Sequence, residues 1–225
     1  MRYLLVLIFI TCFTLSSRAQ TYEVGVMAGG ANYIGDVGAS TYISPNAIAI
    51  GAIAKWNRSK RHAFRASLLY ASLYANDSKG DSRREQRGFS FSNSVKELSV
   101  GMEYNFWEWY LYDGRPQLTP YLYTGITTLN YNNLALNADD QITKLNNAWT
   151  FAIPMVVGIK KTLGRKFVLG AEIGARYTFT DNLDGSNPKD DIGARFGNLD
   201  NNDWYVFTGL TLSFTWGRMP CYCVF

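Results

Sequence analysis

The clearest pattern along the chain is a strict alternation of two kinds of residue in the segment 167–180. Every second residue from Phe167 to Phe179 is apolar or aromatic, and glycine, Glu172 and Arg176 lie among the residues between them. A period of two is that of a β-strand with two unlike faces, whereas a helix would scatter the same residues around its circumference. A small, polar face opposite a bulky, apolar face indicates a strand of a β-barrel in lipid, with the polar face inside.

The same alternation recurs along the chain and predicts eight strands. They are expected at about residues 21–31, 47–56, 63–75, 96–106, 118–130, 149–161, 167–180 and 203–216. The faces are unclear in the third strand, where Leu68 and Leu69 are adjacent, and in the fifth strand. We therefore predict an all-β fold, an eight-stranded antiparallel up-and-down transmembrane β-barrel of outer-membrane type.

The connections between these strands alternate in length. Long polar loops are expected at residues 32–46, 76–94, 131–147 and 181–202, and shorter turns at 57–62, 107–117 and 162–166. Outer-membrane barrels have long extracellular loops and short periplasmic turns. The alternation thus predicts an outer-membrane protein whose two termini both lie in the periplasm.

A soluble eight-stranded barrel of lipocalin type is the competing fold, since alternation alone does not say which face is inside. In a soluble barrel the polar face meets water and should be rich in Lys, Glu and Thr. Here that face is mostly Gly, Ser, Ala and isolated charges, which suits a narrow interior. Trp149, Tyr177, Trp204 and Trp216 lie near strand ends, where aromatic girdles of membrane barrels belong. These features favour the membrane barrel.

The first residues are read as a targeting signal. A short basic start, an apolar run over residues 4–15 and small residues near Ala19 predict a cleaved signal peptide at 1–19. The apolar run is too short for a membrane helix, which needs about 20 residues. A lipoprotein signal at Cys12 is disfavoured, because Cys12 lies inside the apolar run. The expected division is therefore the signal peptide, a barrel over 20–217 and a periplasmic tail over 218–225.

Composition and charge agree with a barrel and exclude one class of partner. Aromatic residues make up 15% of the 225 residues and charged residues only 18%, against about 25% in ordinary soluble proteins. Removing Arg2 and Arg18 from the 22 basic residues leaves 20 against 18 acidic residues, a net charge of +2. That balance is too weak to argue for binding to nucleic acid.

Charged residues on the polar face are expected to point into the barrel. They are Glu97, Glu103, Glu172 and Arg176, joined by Glu23, Arg65 and Lys160. An eight-stranded interior is only wide enough to be filled by side chains, and unpaired charges there would be costly. A packed ion-pair network is therefore favoured over a selective polar pore, and a general porin is excluded.

No residues are assigned to catalysis, to a cofactor or to a metal ion. The single histidine, His62, falls in a predicted turn with no nucleophile recognisable beside it, so a solvated turn residue is favoured over the base of a lipid enzyme. The acids of the last loop match no defined calcium-binding spacing, which favours a solvated loop. These acids are Asp181, Asp184, Asp190, Asp191, Asp200 and Asp203.

The predicted tail contains two cysteines one residue apart, Cys221 and Cys223, after Arg218 and Pro220. The pair lacks the spacing of a metal site. Free thiols are unusual in an oxidising periplasm. A disulfide between the two, a cross-link to a partner and a loose end all stay open.

Four segments give the sequence a family resemblance. They are GGANYIGDV at 29–37, EIGARYTFTDNLDG at 172–185, NDWYVFTGLTLSFTWG at 202–217 and PCYC at 220–223. Together they resemble the PorG-like outer-membrane proteins of the type IX secretion system of Bacteroidetes, a DUF6089-like family, in the same order over nearly the whole mature chain.

The resemblance implies a structural and interaction role in protein secretion and gliding motility, without catalysis. The implied partners are the lipid of the outer membrane and a periplasmic ring built from a lipoprotein and a partner protein. Docking would use the short turns and the tail, including Arg218, Cys221 and Cys223. The alternative is a stand-alone small outer-membrane barrel of adhesin-like or membrane-stabilising type.

Overall fold

The computed structural model describes residues 21–111, 113–137, 141–188, 193, 195–198 and 200–217. The predicted signal peptide at 1–19 and the predicted tail at 218–225 lie outside the described residues. No helix in the described part of the chain is long and apolar enough to cross a membrane.

Eight antiparallel strands form a closed barrel in which each strand pairs with the next and β8 pairs with β1. The strands are β1 Thr21–Ile34, β2 Ala47–Asn57, β3 His62–Asn76, β4 Ser90–Asn105, β5 Leu118–Leu136, β6 Ile142–Leu163, β7 Phe167–Thr178 and β8 Trp204–Gly217. The predicted fold class, an eight-stranded up-and-down barrel of outer-membrane type, is confirmed.

Several predicted loops are shorter than expected, because the strands continue into them. Residues 131–136 extend β5 and residues 142–147 belong to β6, where an Asn-rich loop was expected, and the pairing shifts register between Asn133 and Leu134. The asparagines suggested a loop, but Tyr131 and Leu134 are buried and give this hairpin its own apolar contacts. Likewise β4 begins at Ser90, and the preceding connection holds a 3₁₀ turn, Asp77–Lys79, and helix α1, Ser82–Arg87.

Glycines allow the sheet to bend sharply where neighbouring strands come close. Gly101 of β4 and Gly125 of β5 are directly paired. A Cβ atom on Gly101 would overlap the carbonyl oxygen of Thr124 and would lie 2.7 Å from Cα of Gly125. Only glycine fits at such a contact, so this pair permits a tight closed ring.

The outward face of the barrel is an apolar belt between two aromatic rows. Large side chains of the belt are exposed, such as Val26, Ile50, Leu98, Ile126, Val157 and Leu210. The row at the short-turn end includes Tyr22, Trp56, Phe64, Phe106, Phe167, Phe214 and Trp216, and the row at the other end includes Tyr70, Tyr74, Trp149, Tyr177, Phe179 and Trp204. This arrangement is typical of a barrel wall that faces lipid.

Both ends of the barrel are occupied by protein. At the long-loop end, Val37 and Leu183 of the connections join Tyr33, Phe91 and Tyr205 in one buried apolar cluster. At the short-turn end, Trp109 of the β4–β5 connection is 3% exposed. These caps leave the charged interior enclosed between them.

Candidate functional site

Glu172 of β7 and Arg65 of β3 form the central ion pair of the barrel interior. The Nη1 and Nη2 atoms of Arg65 each donate to one carboxylate oxygen of Glu172, both at 2.8 Å. Tyr121 of β5 donates its hydroxyl to the same carboxylate at 2.6 Å. Two-pronged contacts of this kind fix both the position and the orientation of the guanidinium group.

Glu103 of β4 is the acid with the most cationic neighbours. Its carboxylate lies 2.7 Å from Nζ of Lys55 and 2.6 Å from Nζ of Lys160. Nη1 of Arg65 is a third cationic atom at 3.7 Å. Glu103 thereby links the two lysines to the Arg65–Glu172 pair.

A separate ion pair lies between β4 and β7. Nε of Arg176 donates to Glu97 at 3.1 Å, and Tyr205 of β8 donates its hydroxyl to the same carboxylate oxygen at 2.7 Å. Nη1 of Arg176 donates to the carbonyl oxygen of Gly174 at 2.7 Å. The remaining acid, Glu23, accepts hydrogen bonds from neutral groups instead, from Asn57 at 2.7 Å and Ser213 at 3.0 Å.

The interior network is electrically balanced and buried. It contains four cations and four carboxylates, and none of the eight residues is more than 5% exposed: Lys55, Arg65, Lys160, Arg176, Glu23, Glu97, Glu103 and Glu172. Removing one partner of such a buried pair leaves an uncompensated charge, which costs about 3–5 kcal/mol. The arrangement can hold the strands in one closed form.

All seven charged residues expected inside the barrel lie there, and the structure adds one that sequence analysis missed. Lys55 occupies the face of β2 opposite outward-facing Ile48 and Ile50, so its position in the alternation was an available signal. The inward tyrosines Tyr121 and Tyr123 were also missed. Bulky apolar or aromatic side chains occur on both faces of β5, so its sequence shows no clear alternation.

Trp109 closes the interior at the short-turn end. Nζ of Lys160 lies 4.8 Å from the centre of its ring, within range of a cation–π contact. The backbone N–H of Trp109 donates to the carbonyl oxygen of Lys60 at 2.9 Å, which ties the β4–β5 connection to the β2–β3 turn. This plug was not predicted, since a tryptophan in a polar turn carries no periodic signal.

The last loop is more buried than the predicted solvated loop. Asp184 and Asp203 are 0% and 1% exposed. Asp203 accepts hydrogen bonds from the Tyr33 hydroxyl and, at 2.8 Å, from the N–H of Leu183. Burial raises the pKa of Asp203 most, and the nearby charge of Asp184 raises it further. Burial also raises the pKa of half-buried Asp181 to about 6. The prediction was wrong here because the loop folds into the barrel mouth.

These acids do not assemble into a metal site. Among the described residues, no group of three or more His, Cys, Asp or Glu side chains is placed to hold a metal ion. Asp184 accepts from the N–H of Ser186 at 2.9 Å, a bond within its own turn. Asp190 and Asp191 lie outside the described residues.

His62 has a hydroxyl beside it, contrary to the sequence prediction. Its Nδ1 atom lies 3.2 Å from Oγ of Ser59. That hydroxyl oxygen also accepts from the N–H groups of Arg61 and His62 at 3.3 and 3.0 Å, so Ser59 closes the β2–β3 turn. The His62 ring is solvent-exposed and lies against Tyr104, with 5.3 Å between the ring centres. The sequence missed the hydroxyl contact because it depends on the fold of a four-residue turn.

The predicted contact residues of the tail, Arg218, Cys221 and Cys223, lie outside the described residues, so their role stays a prediction.

Several solved structures are similar to this chain. Neisserial surface protein A (NspA) is 9% identical, with 87% of this chain and 96% of that chain covered and a TM-score of 0.47. A major outer membrane protein from Thermus thermophilus is 15% identical, with 88% and 100% covered and a TM-score of 0.48. The outer membrane protein AlkL in DMPC lipid bilayers is 12% identical, with 92% and 94% covered and a TM-score of 0.48.

A comparison with curated proteins finds no match. A family model described as a domain of unknown function, DUF6089, matches residues 2–225, which is the whole chain apart from Met1. The protein therefore belongs to the DUF6089 family.

Proposed function

We propose that this protein is a non-conducting outer-membrane barrel that acts as a structural and interaction component. The observation that carries the proposal is the balanced, buried interior, in which four cations and four carboxylates lie packed between the two capped ends. A pore needs a water-filled path, and the packed ion pairs and Trp109 occupy that path. The apolar belt and the two aromatic rows support placement in a membrane.

We further propose that the long loops face outward and the short turns face the periplasm, as in other outer-membrane barrels. Because both ends of the barrel chain lie at the short-turn end, they too would be periplasmic. Proteolysis of intact cells tests this orientation. A protease site inserted after Gly88, a residue of the β3–β4 loop, should be cut, and one inserted after Gly164, in the β6–β7 turn, should be protected.

The finer proposal is a role in type IX secretion, in which the periplasmic side docks a ring built from a lipoprotein and its partner protein. Its support is the resemblance of the four segments to PorG-like proteins. The candidate contact surface comprises the turns around Arg58, Arg115 and Arg165, and the tail with Arg218, Cys221 and Cys223.

A detergent pull-down of the tagged protein from outer membranes tests this role. We expect a ring lipoprotein and its partner in stoichiometric amounts. Charge reversal at both Arg58 and Arg115 should reduce their recovery, and the matched reversal of both Lys79 and Arg83 at the opposite end should leave it unchanged. A folded barrel recovered without partners would contradict the docking role and leave the barrel proposal standing.

One observation favours the alternative, a stand-alone barrel that presents a binding surface outside. The β3–β4 loop is held rigidly, since fully buried Asp77 accepts hydrogen bonds from Arg87, Gly38 and Phe89 at 2.8 to 3.1 Å. Such a loop can present helix α1 as a fixed surface. Replacing residues 81–88 by a short glycine linker should then abolish surface binding of cells without altering secretion.

We also propose that the protein is not an enzyme. Ser59 and His62 form the one serine–histidine contact among the described residues, but both lie in one exposed turn and Ser59 accepts backbone hydrogen bonds there. No carboxylate among the described hydrogen bonds orients the imidazole, which a catalytic triad requires.

A further inference from the structure

Charge is distributed unevenly between the two ends of the barrel. Within the described residues, the short-turn connections 58–61, 106–117 and 164–166 contain six Lys and Arg residues and two carboxylates. The described parts of the long-loop connections 35–46, 77–89 and 179–203 contain five Lys and Arg residues and eight carboxylates. The short-turn end is therefore the cationic end.

Lys161 is placed unusually within this cationic end. It belongs to the outward row of β6, between Ile159 and Leu163, and it pairs across the sheet with Leu118 and Leu169. These four neighbours are 39–46% exposed on the lipid-facing wall. A lysine surrounded by lipid-facing side chains keeps its ammonium group out of the hydrocarbon by extending it to the headgroup level.

Two more cations follow directly in the β6–β7 turn. Nζ of Lys166 lies 5.9 Å from the ring of Phe214, a member of the aromatic row at this end. The Lys166 carbonyl oxygen accepts from the N–H of Thr215 at 2.7 Å, which fixes the turn against β8. Among the described residues, Lys161, Arg165 and Lys166 form no salt bridge with a protein carboxylate.

We infer that Lys161, Arg165 and Lys166 form a binding surface for the phosphate headgroups of anionic phospholipids. Lys166 lies beside Phe214 of the aromatic row, which in membrane barrels sits at the headgroup level, and Lys161 and Arg165 precede it in the same strand end and turn. Anionic phospholipid carries a net negative charge there, whereas the phosphate of phosphatidylcholine is offset by its own ammonium group. Attraction of a basic residue to an anionic surface corresponds to a preference of about fivefold per cation.

The position of Lys161 favours a lipid over an acidic protein as the partner. Its side chain leaves the barrel from the wall itself, flanked by Leu118 and Leu169, where a soluble protein would first have to displace lipid. The inference rests on the membrane placement proposed above, but it does not need the docking role or the secretion system.

Native mass spectrometry of the full mature chain, released from vesicles, tests the inference. The vesicles contain equal amounts of phosphatidylglycerol and phosphatidylcholine. For the wild-type barrel we expect phosphatidylglycerol to be retained at least about fivefold over phosphatidylcholine. The triple variant Lys161→Gln, Arg165→Gln and Lys166→Gln should retain the two lipids equally, and Lys161→Arg should keep the preference.

The matched control removes three cations at the opposite end, by Lys96→Gln, Arg83→Gln and Lys144→Gln, and should keep the wild-type ratio. Lys96 is also on an outward row, next to Leu98, but it pairs with Tyr70 and Asn130. Band shifts between boiled and unboiled samples verify that each variant folds. Equal retention by the wild type, or an unchanged ratio in the triple variant, overturns the inference. A wild-type barrel that fails to insert into any vesicle would instead contradict the membrane placement.

Discussion

The Arg65–Glu172 pair offers the sharpest test of a dry interior. Glu172→Gln keeps the shape of the side chain but removes the charge that meets both Nη atoms of Arg65 at 2.8 Å. The loss of one partner of a buried pair costs about 3–5 kcal/mol. Because Glu103 still lies 3.7 Å from Arg65, we expect the lower end, about 3 kcal/mol. That is about a hundredfold in the ratio of folded to unfolded barrel.

A double-mutant cycle isolates this pair from its surroundings. Arg65→Met alone leaves Glu172 uncompensated and should also cost about 3–5 kcal/mol. The double variant restores a balance of three cations against three carboxylates, so it should cost less than the sum, with a coupling energy of about 2–3 kcal/mol. Urea titration of barrels inserted in phospholipid vesicles, followed by tryptophan fluorescence, measures all four free energies of unfolding. Single losses under about 1 kcal/mol, or losses that simply add, would mean that water solvates the charges and that the interior is not dry.

Three further predictions test other parts of the molecule. Gly101→Val should destabilise the barrel by at least about 2 kcal/mol in the same urea titration, because its Cβ would meet the Thr124 carbonyl oxygen; a neutral effect would show that the sheet relaxes there. Asp181 has a raised pKa in the folded state, so the stability of its loop should fall as pH rises from about 4 to 7. The amide exchange rate of Leu183, corrected for the intrinsic rate, should therefore increase over this pH range, and the increase should be smaller in Asp181→Asn. His62→Ala should leave any phospholipid hydrolysis by purified barrel unchanged, and a loss of such activity would make His62 a catalytic candidate.

The period of two was sufficient to predict the barrel and the inward side of its charges, because side-chain direction in a strand depends only on parity. It was not sufficient to predict the partners. Glu172 and Arg176 share one face of β7 four residues apart, yet about 13 Å of strand separates them. Each pairs instead with a residue of another strand, Arg65 and Glu97, and those encounters depend on strand register and on the tilt of the closed ring.

Connections were predicted less well for a related reason. Asparagine is frequent in turns, so the asparagines of the β5–β6 hairpin suggested a loop. A strand tolerates them because the backbone hydrogen bonds of a β-ladder do not involve side chains. Trp109 and the buried acids Asp184 and Asp203 acquire their surroundings only when loops fold into the barrel mouths. Such contacts join segments that are far apart in the chain, so the local sequence pattern does not predict them.

The ion-pair network also affects how the chain must fold. Arg65 and Glu172 are 107 residues apart, and Glu23 and Ser213, which join the first and last strands, are 190 apart. Contacts of such sequence separation form late, since the entropy of closing the intervening chain is lost before they form. An open sheet would hold its eight charged side chains without their final partners, at high cost in hydrocarbon. Barrel closure and entry into the bilayer should therefore proceed as one concerted event, with few partly inserted species along the way.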